Sequence, residues 1–372
     1  MKIAIVGLGA AGAAALLEAA ASGCEAVGFE QFTIGHDLGS SHGTSRLIRR
    51  TYADAFHTRW MARAYEAWDR VEGITGETLF VRCSGLTFGP EDDHTISETR
   101  EAMKACGIGH ENMRREEVAE RFQALDIGQA AIGIYQADSG FLKADRCVRS
   151  QIETAKVMGA VVHEGRKVLA IEEGGGDVFV STDQGTERFD AVVVTAGPWI
   201  GRLLPKLNLP LRVVLRQTLY LAADEERFAP GRFPVWIHHP SDHYGFPSDG
   251  VMPGIKVASH HGGPDFDPTA ADRPVMDELA NGVRDHAMKH ITGLSGVIVS
   301  AKACLYTLTP DERFILDFVP GSSRVIVCSG CSGHGFKFSA LLGELAVEMA
   351  RSCSRPNDTE PWGLGRFGQN KT

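Results

Sequence analysis

The hydrophobic pattern at the start of the chain predicts a strand, a glycine-rich turn and a helix. Residues 2–6 read KIAIV, which is typical of a buried strand, and GLGAAG follows directly. An alanine-rich helix is predicted from Ala10 to Ser22, and a second strand, EAVGFE, ends at Glu30. This strand–helix–strand order predicts a parallel sheet that is covered on both faces.

The middle of the chain predicts further helices and strands. Arg46 to about Val71 reads as one long helix, and shorter helices are expected near 91–105, 115–122 and 143–158. Three strand patterns follow: KVLAIEE, DVFVSTD and DAVVVTAG. The last is apolar and β-branched and stops at Gly197, as expected of a central parallel strand.

From about residue 211 the pattern changes to alternating polar and apolar positions. VVLRQTLYLAA, FPVWIHH, YGFPS and IKVASHH are typical of an antiparallel sheet. A helix near 272–292, a strand near 298–307, the buried strand VIVCSG and a final helix from about Gly335 to Arg351 complete the prediction.

Composition and charge exclude several classes of protein. The chain has 372 residues and a net charge of −9, which argues against a general nucleic-acid binder. It contains no run of roughly 18 apolar residues, so no transmembrane helix is expected. Glycines and Glu18 interrupt the N-terminal apolar stretch, which is therefore not interpreted as a signal peptide. The eight cysteines are then expected to be reduced thiols in the cytoplasm.

The turn Gly7-Leu8-Gly9-Ala10-Ala11-Gly12 matches G-x-G-x-x-G, the dinucleotide-binding pattern. Gly7 permits the tight turn, Gly9 lets a pyrophosphate approach the backbone, and Gly12 lets helix and strand pack closely. Glu30 ends the next strand, where a carboxylate can bind both ribose hydroxyls. This carboxylate argues against a 2′-phosphate and favours FAD or NAD over NADP.

The order of strands favours FAD over NAD, because the chain leaves the dinucleotide pattern after two strands and returns to it late. We expect a mixed α/β fold: a Rossmann-like FAD-binding domain with an interleaved antiparallel-sheet substrate domain. The FAD-binding domain is predicted from 1–80, 143–210 and 310–372, and the substrate domain from 81–142 and 211–309.

Two further segments carry candidate binding groups. Arg46 and Arg49, three residues apart on the predicted helix, would share one face and suit an anion, although a structural role is equally compatible with the spacing. Gly333 to Lys337 opens the last helix, where backbone N–H groups could stabilise a reduced flavin, or could form an ordinary helix entry.

Two motifs are set aside. Cys328 and Cys331 form C-x-x-C, but the sequence offers no second pair for zinc, and Cys328 lies in an apolar strand. The pairs His238-His239 and His260-His261 lie in predicted strands, where only one of each pair can face a pocket. No metal site is predicted.

Taken together, the chain resembles monomeric sarcosine oxidase and N-methyltryptophan oxidase, in the D-amino-acid-oxidase-like flavoprotein superfamily. The resemblance covers nearly the whole length. The segments that carry it are GSSHGTSRLIRRTY, YGFPS, GIKVASH, CLYTLTPDERFILD and SGHGFKFS.

The resemblance implies a set of site residues. Cys304 matches the cysteine that attaches FAD covalently, Lys256 the lysine that promotes reaction with oxygen, and His260 a substrate-cavity histidine. Arg49 and Lys337 match the pair that binds the substrate carboxylate. The remaining matches are Arg46 and His42 beside the flavin, the pocket tyrosines Tyr244 and Tyr306, and the cofactor-binding Gly333 and Gly335.

The implied activity is oxidation of a secondary amino acid through hydride transfer to FAD, which gives an imine, then an aldehyde and an amine, with H₂O₂ formed from O₂. The resemblance also suggests a monomer. Alternatives are a dehydrogenase of the same fold with another electron acceptor, a pipecolate- or fructosyl-amino-acid-type oxidase, a non-catalytic flavoprotein and, more distantly, an NAD-linked dehydrogenase. Peroxide production, bleaching of the flavin by substrate, and the absorption spectrum discriminate among them.

Two segments depart from the family pattern. Gly43-Thr44-Ser45-Arg46 stands where the family has Gly-Asp-Thr-Arg, so a charge is lost near the flavin. Trp236 falls where sarcosine oxidase has a smaller methionine, on a strand expected to line the side-chain end of the pocket. The substrate is therefore left open among N-methyl, cyclic and glycated amino acids.

Overall fold

The computed structural model describes residues 1–368, so the last four residues of the predicted segment 310–372 lie outside it. Within the described range the strands are β1 Lys2–Val6, β2 Glu25–Phe29, β3 Arg46–Ile48, β4 Phe80–Arg82, β5 Gly85–Pro90, β6 Glu111–Met113, β7 Ala131–Gln136, β8 Gly140–Leu142, β9 Val161–His163, β10 Val168–Gly174, β11 Asp177–Thr182, β12 Gly185–Phe189, β13 Ala191–Val194, β14 Arg212–Leu221, β15 Val235–His238, β16 His243–Gly245, β17 Ile255–Ser259, β18 Ile298–Leu308, β19 Ile315–Phe318 and β20 Val325–Ser329.

The α-helices of the same range are α1 Ala10–Ala21, α2 Ala55–Thr75, α3 His94–Ala105, α4 Arg115–Arg121, α5 Ala144–Val157, α6 Ile200–Leu203, α7 Asp277–His290 and α8 Ser339–Ser352. Short 3₁₀ turns include Gly197–Trp199 and Phe336–Phe338. None of these helices is long and apolar enough to span a bilayer.

A six-stranded sheet joins strands from distant parts of the chain in the order β19-β20-β13-β1-β2-β9. β9, β2, β1, β13 and β20 pair in parallel, while β19 is antiparallel at one edge. The predicted central position of the DAVVVTAG strand is confirmed, since β13 lies between β1 and β20.

Alternate residues of this sheet face two different layers. Ile3 and Ile5 pack in the core that includes α1, α2, α5 and α8, while Ala4 and Val6 pack in the core that includes β10–β12. Side chains on a strand alternate between faces, so a continuous apolar run such as KIAIV fits a strand buried on both sides. The sequence correctly predicted cover on both faces.

The second large sheet has eight strands in the order β18-β14-β17-β16-β15-β5-β7-β6. The prediction of a purely antiparallel sheet is wrong at one place, because β15 pairs with β5 in parallel. β5 arrives from the earlier part of the chain, and the alternation of residues on one strand carries no information on the direction of its partner. Helix α7 packs against this sheet.

The predicted helix from Arg46 to Val71 is also wrong in its first part. Arg46–Ile48 is strand β3, which pairs with β8, and α2 begins only at Ala55. Asp54 caps that helix by accepting the backbone N–H of His57, and Gly76 ends it in a left-handed conformation. Arg46 and Arg49 therefore do not share a helix face.

Candidate active site

A cavity of about 1220 Å³ lies at the carboxyl ends of the parallel strands and extends to the eight-stranded sheet. Ligands of open α/β sheets bind at this edge of the sheet. The sequence-predicted site residues that line it are Gly7, Gly9, Glu30, His42, Arg46, Arg49, Tyr244, Lys256, His260, Cys304, Tyr306, Gly333, Gly335 and Lys337. Gly12 does not line the cavity, so its contribution is confined to packing beneath it.

The glycine turn after β1 has no space for side chains. Gly7 has φ +93°, and a Cβ there would lie 2.7 Å from the Thr195 carbonyl oxygen. A Cβ on Gly12 would lie 1.8 Å from the Gly7 carbonyl oxygen. Thr195 at the end of β13 also donates its hydroxyl to Gly7 O at 2.6 Å. The turn is therefore held in the close backbone arrangement that a pyrophosphate requires.

Glu30 lies at the carboxyl end of β2 and is 5% exposed. Its Oε2 accepts the Leu8 N–H at 2.9 Å, and its Oε1 accepts the Phe32 N–H at 3.0 Å. A carboxylate has about four acceptor sites. Glu30 thus fixes the turn after β1 and retains acceptor capacity toward the cavity for hydroxyl groups.

Arg46 organises the loop between β2 and β3. Its guanidinium donates to the carbonyl oxygens of Ser40 at 3.0 Å, His42 at 2.5 Å and Ser45 at 3.0 Å. It also lies 5.7 Å from the centre of the Phe336 ring. Arg46 and Arg49 reach the same cavity because β3 and the turn after it run along its wall, and not through helical spacing.

Lys256 on β17 is 3% exposed, and its Nζ donates to the Ser45 carbonyl oxygen at 2.7 Å. Burial, and next the charge of Arg46, lower the pKa of Lys256 well below its usual value. Asp145 and Asp249 oppose this effect. These two carboxylates stand beside the Gly43–Ser45 loop, where Asp145 accepts the Gly43 N–H at 2.8 Å and Asp249 bonds the Thr44 hydroxyl.

Cys304 on β18 is a buried, free thiol at the cavity wall. Burial raises its pKa, while the charges of Arg46, Lys256 and Arg216 act in the opposite direction. The loop that carries Arg46 is joined to the same strand, because the Ser40 hydroxyl donates to the Leu305 carbonyl oxygen at 2.5 Å. The net effect is a raised pKa, so the neutral thiol is favoured, and the three basic side chains limit the cost of forming the thiolate.

Arg49 and Lys337 meet at one tyrosine that the sequence analysis missed. The guanidinium carbon of Arg49 lies 4.6 Å from the centre of the Tyr52 ring, and Lys337 Nζ donates to the Tyr52 hydroxyl at 3.0 Å. Lys337 Nζ also donates to His334 O at 2.9 Å. Burial, followed by the charge of Arg49, lowers the pKa of Lys337 well below its usual value. Two mutually repelling cations aimed into one cavity form a site for an anion.

His334, a second missed residue, fixes the proton positions in this network. Its Nε2 lies 2.9 Å from the Glu312 carbonyl oxygen, which can only accept, so Nε2 carries the hydrogen. The Tyr52 hydroxyl therefore donates to His334 Nδ1 at 3.0 Å while it accepts from Lys337. Both residues stand inside segments that carried the family resemblance, RRTY and SGHGFKFS, which was the available signal.

Gly333 and Gly335 make room for protein groups. Gly333 has φ +78°, and a Cβ there would lie 2.0 Å from the Tyr306 ring, while one on Gly335 would lie 2.4 Å from Cys331 Cβ. The resemblance implied a cofactor-binding role for these two glycines. The structure shows that they also leave room for Tyr306 and Cys331. Burial raises the pKa of Cys331 to about 11, which agrees with an inert thiol.

The part of the cavity formed by Tyr244, Tyr306 and His260 is aromatic and histidine-rich. The hydroxyl groups of Tyr244 and Tyr306 lie 3.4 Å apart, and the His260 ring lies 5.4 Å from that of Tyr306. Burial lowers the pKa of His260 to about 4, so its imidazole is neutral near pH 7. Burial alone would raise the pKa of Asp242, but hydrogen bonds and charge from His239 and His261 hold it at about 2.

The strand that carries Trp236 lines the cavity as expected, but Trp236 itself does not. Trp236 is 1% exposed and packs in the apolar core of the eight-stranded sheet, whereas its neighbours Ile237 and His239 line the cavity. A one-residue difference in a strand moves a side chain to the opposite face. Trp236 therefore does not contribute to the wall of the cavity.

These observations fit a bound FAD. The glycine turn leaves a space that any Cβ would fill, and Glu30 offers hydrogen-bond acceptors for ribose hydroxyls at the adjacent strand end. His42 Nε2 and Arg49 Nε are buried without a hydrogen-bond partner in the described structure. Residues 2–349 match the family model described as FAD dependent oxidoreductase. The chain belongs to this family.

N-methyl-L-tryptophan oxidases are similar along the full length. The proteins from Yersinia pestis (strain Pestoides F) and Yersinia pseudotuberculosis serotype O:1b (strain IP 31758) are each 30% identical over 368 residues, which cover 98% of either chain. Among solved structures, L-proline dehydrogenase from P. horikoshii has a TM-score of 0.87 at 22% identity, with 100% of this chain and 98% of that chain covered. NikD, an amino acid oxidase of nikkomycin biosynthesis, has a TM-score of 0.85 at 22% identity over 97% and 96%. The predicted fold class is confirmed.

Proposed function

We propose that this chain is an FAD-dependent oxidase of secondary amino acids. The observation that carries the proposal is the Arg49–Tyr52–Lys337 cluster in the same cavity as the dinucleotide turn. The hydrogen bonds of the two cations go to neutral groups: the Thr51 and Tyr52 hydroxyls and the His334 carbonyl. Among the described residues no carboxylate hydrogen-bonds Arg49 or Lys337, although the charge of Asp242 acts on Arg49, so both side chains are available to a substrate carboxylate.

The chain's own residues bind and orient the substrate. Arg49 and Lys337 bind the substrate carboxylate. This contact fixes the position of the adjacent substrate carbon relative to the part of the cavity that would hold the flavin ring. The surrounding positive charge lowers the pKa of the substrate amine, so its lone pair is free before the C–H bond breaks. The chemistry that FAD supplies when bound is acceptance of a hydride from carbon and delivery of both electrons to O₂ as H₂O₂.

A peroxide-coupled screen tests this function. The purified enzyme would be offered N-methyl, cyclic and glycated amino acids, each beside the amine that lacks the carboxylate. Turnover of an amino acid with stoichiometric H₂O₂, and little turnover of its decarboxylated partner, would support the proposal. Bleaching of the flavin by substrate under argon without H₂O₂ in air would indicate a dehydrogenase instead. No bleaching by any compound would contradict both.

Several features bear on the substrate class. The similar N-methyl-L-tryptophan oxidases support an N-methyl amino acid as the first compound to try. The Asp242 carboxylate and the rings of His239, His260 and His261 give the cavity a polar rim. Such a rim also suits the hydroxyl groups of a glycated amino acid, which keeps that class in the screen.

We propose that Cys304 attaches the flavin covalently. Its place at the cavity wall, with Arg46, Lys256 and Arg216 exerting charge on it, supports the assignment. Acid precipitation tests it: the wild-type pellet should stay yellow, and Cys304→Ser should release its flavin to the supernatant. Cys328→Ser, which changes a buried cysteine of β20, is the matched control. A colourless wild-type pellet would contradict covalent attachment.

We also propose that Lys256 promotes the reaction of the reduced flavin with O₂.

We further propose that the enzyme acts as a cytoplasmic monomer. Size-exclusion chromatography with light scattering should give a mass near 40.2 kDa. A stable mass of twice that value would contradict the monomer.

A further inference from the structure

Three histidines meet outside the cavity, between the eight-stranded sheet and helix α7. His238 is the last residue of β15, and His286 and His290 lie one helical turn apart on α7. One ring nitrogen from each of the three lies within 4.8 Å of the others. All three side chains are half-buried. His238 is adjacent to His239 in the sequence, but the fold places it beside two histidines that lie 48 or more residues later in the chain.

The hydrogen bonds of the cluster leave ring nitrogens available as ligands. His290 Nδ1 lies 2.9 Å from the Asp126 carbonyl oxygen, which can only accept, so Nδ1 carries the hydrogen and Nε2 keeps a lone pair. His238 Nδ1 bonds the Ser241 hydroxyl at 2.7 Å, and His286 Nε2 lies 3.4 Å from the same hydroxyl. A metal-binding histidine commonly has its other ring nitrogen held by a carbonyl or another polar group in this way.

Aromatic rings pack against the three histidines. The Phe88 ring lies 5.0 Å from the His238 ring and 5.3 Å from the His290 ring, and His243 stacks on His286 with ring centres 3.9 Å apart. Packed rings that each bring one nitrogen within 4.8 Å of the others need limited further ordering to bind an ion.

We propose that His238, His286 and His290 bind one divalent transition metal, with Zn²⁺ as the expected ion. Imidazole nitrogen is a preferred ligand of Zn²⁺, whereas Mg²⁺ and Ca²⁺ prefer oxygen. A tetrahedral Zn²⁺ site has Zn–N bonds of roughly 2.0–2.1 Å. The three ligand nitrogens, now within 4.8 Å of one another, must therefore move somewhat closer together, and small rotations of the rings achieve this. The fourth position is left to water.

The bound metal acts as a structural clamp. It joins α7 to β15, and β15 continues through the loop at Asp242 into β16, which carries Tyr244 to the cavity wall. The metal itself lies outside the cavity, so its binding does not depend on the proposed oxidase activity.

Titration calorimetry on the untagged, flavin-loaded enzyme tests the site. After treatment with a chelator and its removal, ZnCl₂ alone should bind with one equivalent per chain. His286→Ala and His290→Ala should each weaken this binding by at least roughly 100-fold, since loss of a ligand exceeds the 10–100-fold effect of its supporting groups. His94→Ala is the matched control, because His94 is exposed on α3 and paired with Glu98. Binding in both cluster variants that equals wild type, or no one-equivalent binding in wild type, would overturn the proposal.

Two further measurements guard against a misfolded variant. His290→Gln keeps a polar side chain of similar size, and its flavin spectrum should match that of wild type while its Zn²⁺ affinity is lost. Excess Zn²⁺ should raise the unfolding midpoint of wild type and His94→Ala but not that of His290→Gln. An equal rise in all three proteins would assign the binding to surface groups and refute the cluster as the site.

Discussion

Replacement of Lys337 by Met removes the terminal amino group from the Arg49–Tyr52–Lys337 cluster and keeps most of the side-chain volume. Lys337 is 5% exposed, and its three N–H donors include one to the Tyr52 hydroxyl and one to the His334 carbonyl oxygen. The third donor remains for a substrate carboxylate. A hydrogen bond to a charged group contributes about 1.5–3 kcal/mol, so kcat/KM for an amino acid should fall by on the order of 10–150-fold.

The decisive assay compares two substrates. The same variant should lose little kcat/KM toward the amine that lacks the carboxylate, because the lost interaction does not exist in that complex. Lys104→Met, a change at an exposed position on α3, serves as the control and should affect neither substrate. Equal losses on the amino acid and on the amine would refute the assignment of Lys337 to the carboxylate.

The pH dependence follows from the lowered pKa of Lys337. Burial and the charge of Arg49 favour the neutral amine in the free enzyme, whereas a bound carboxylate favours the ammonium form. Binding of acetate, used as a simple carboxylate inhibitor, should therefore weaken as pH rises through the free-enzyme pKa of Lys337. This slope should be reduced in Lys337→Met.

The contribution of Lys337 to the stability of the folded chain increases with pH, whereas acetate binding weakens. The unfolded chain holds this proton more tightly than the folded chain, so this group makes folding more favourable as pH rises from the folded pKa toward 10.5. Lys337→Met removes that contribution, and its unfolding midpoint should lie at or above that of wild type near pH 7. A clear fall in the midpoint at pH 7 would contradict the unfavourable burial of this charge.

Three further changes test other parts of the site. Lys256→Met should leave bleaching of the flavin by substrate under argon intact but should slow reoxidation of the flavin by air. In the wild type, the reoxidation rate should fall as pH rises through the lowered pKa of Lys256. Stopped-flow absorbance measures both rates. Gly333→Ala places a Cβ 2.0 Å from the Tyr306 ring and should lower both the unfolding midpoint and turnover, whereas Gly73→Ala, at an open position on α2, should not. Glu30→Gln should reduce flavin content after purification, because the acceptor of the Leu8 N–H loses its charge; full occupancy would argue against a role in cofactor binding.

Local pattern determined much of the fold. The run KIAIV, the glycine turn and the helix from Ala10 were predictable because a continuous apolar strand, close backbone approach and helix packing are short-range requirements that affect neighbouring residues. The strand β13 was predictable for the same reason. Arg46–Ile48 was not, since a three-residue strand exists only through its pairing with β8, and the apolar spacing after it continues smoothly into α2.

Within the site, residue types were easier to assign than partners. Glu30, Lys256 and Lys337 line the cavity as expected, but Tyr52 and His334 became visible only when the chain brought them to Lys337. Trp236 shows the converse, because its face of the strand depends on a one-residue register that sequence pattern did not settle.

The sequence by itself determined the dinucleotide turn, the acidic end of the second strand and the cationic residues that a single cavity would need. Only the tertiary structure decided which of these cations share a partner, which glycines make room for protein side chains, and that His238 meets two histidines of α7. The physical reason is distance along the chain. A turn or a cap is formed by residues a few positions apart, whereas Lys337 and Tyr52 are joined across 285 positions by packing that no local pattern encodes.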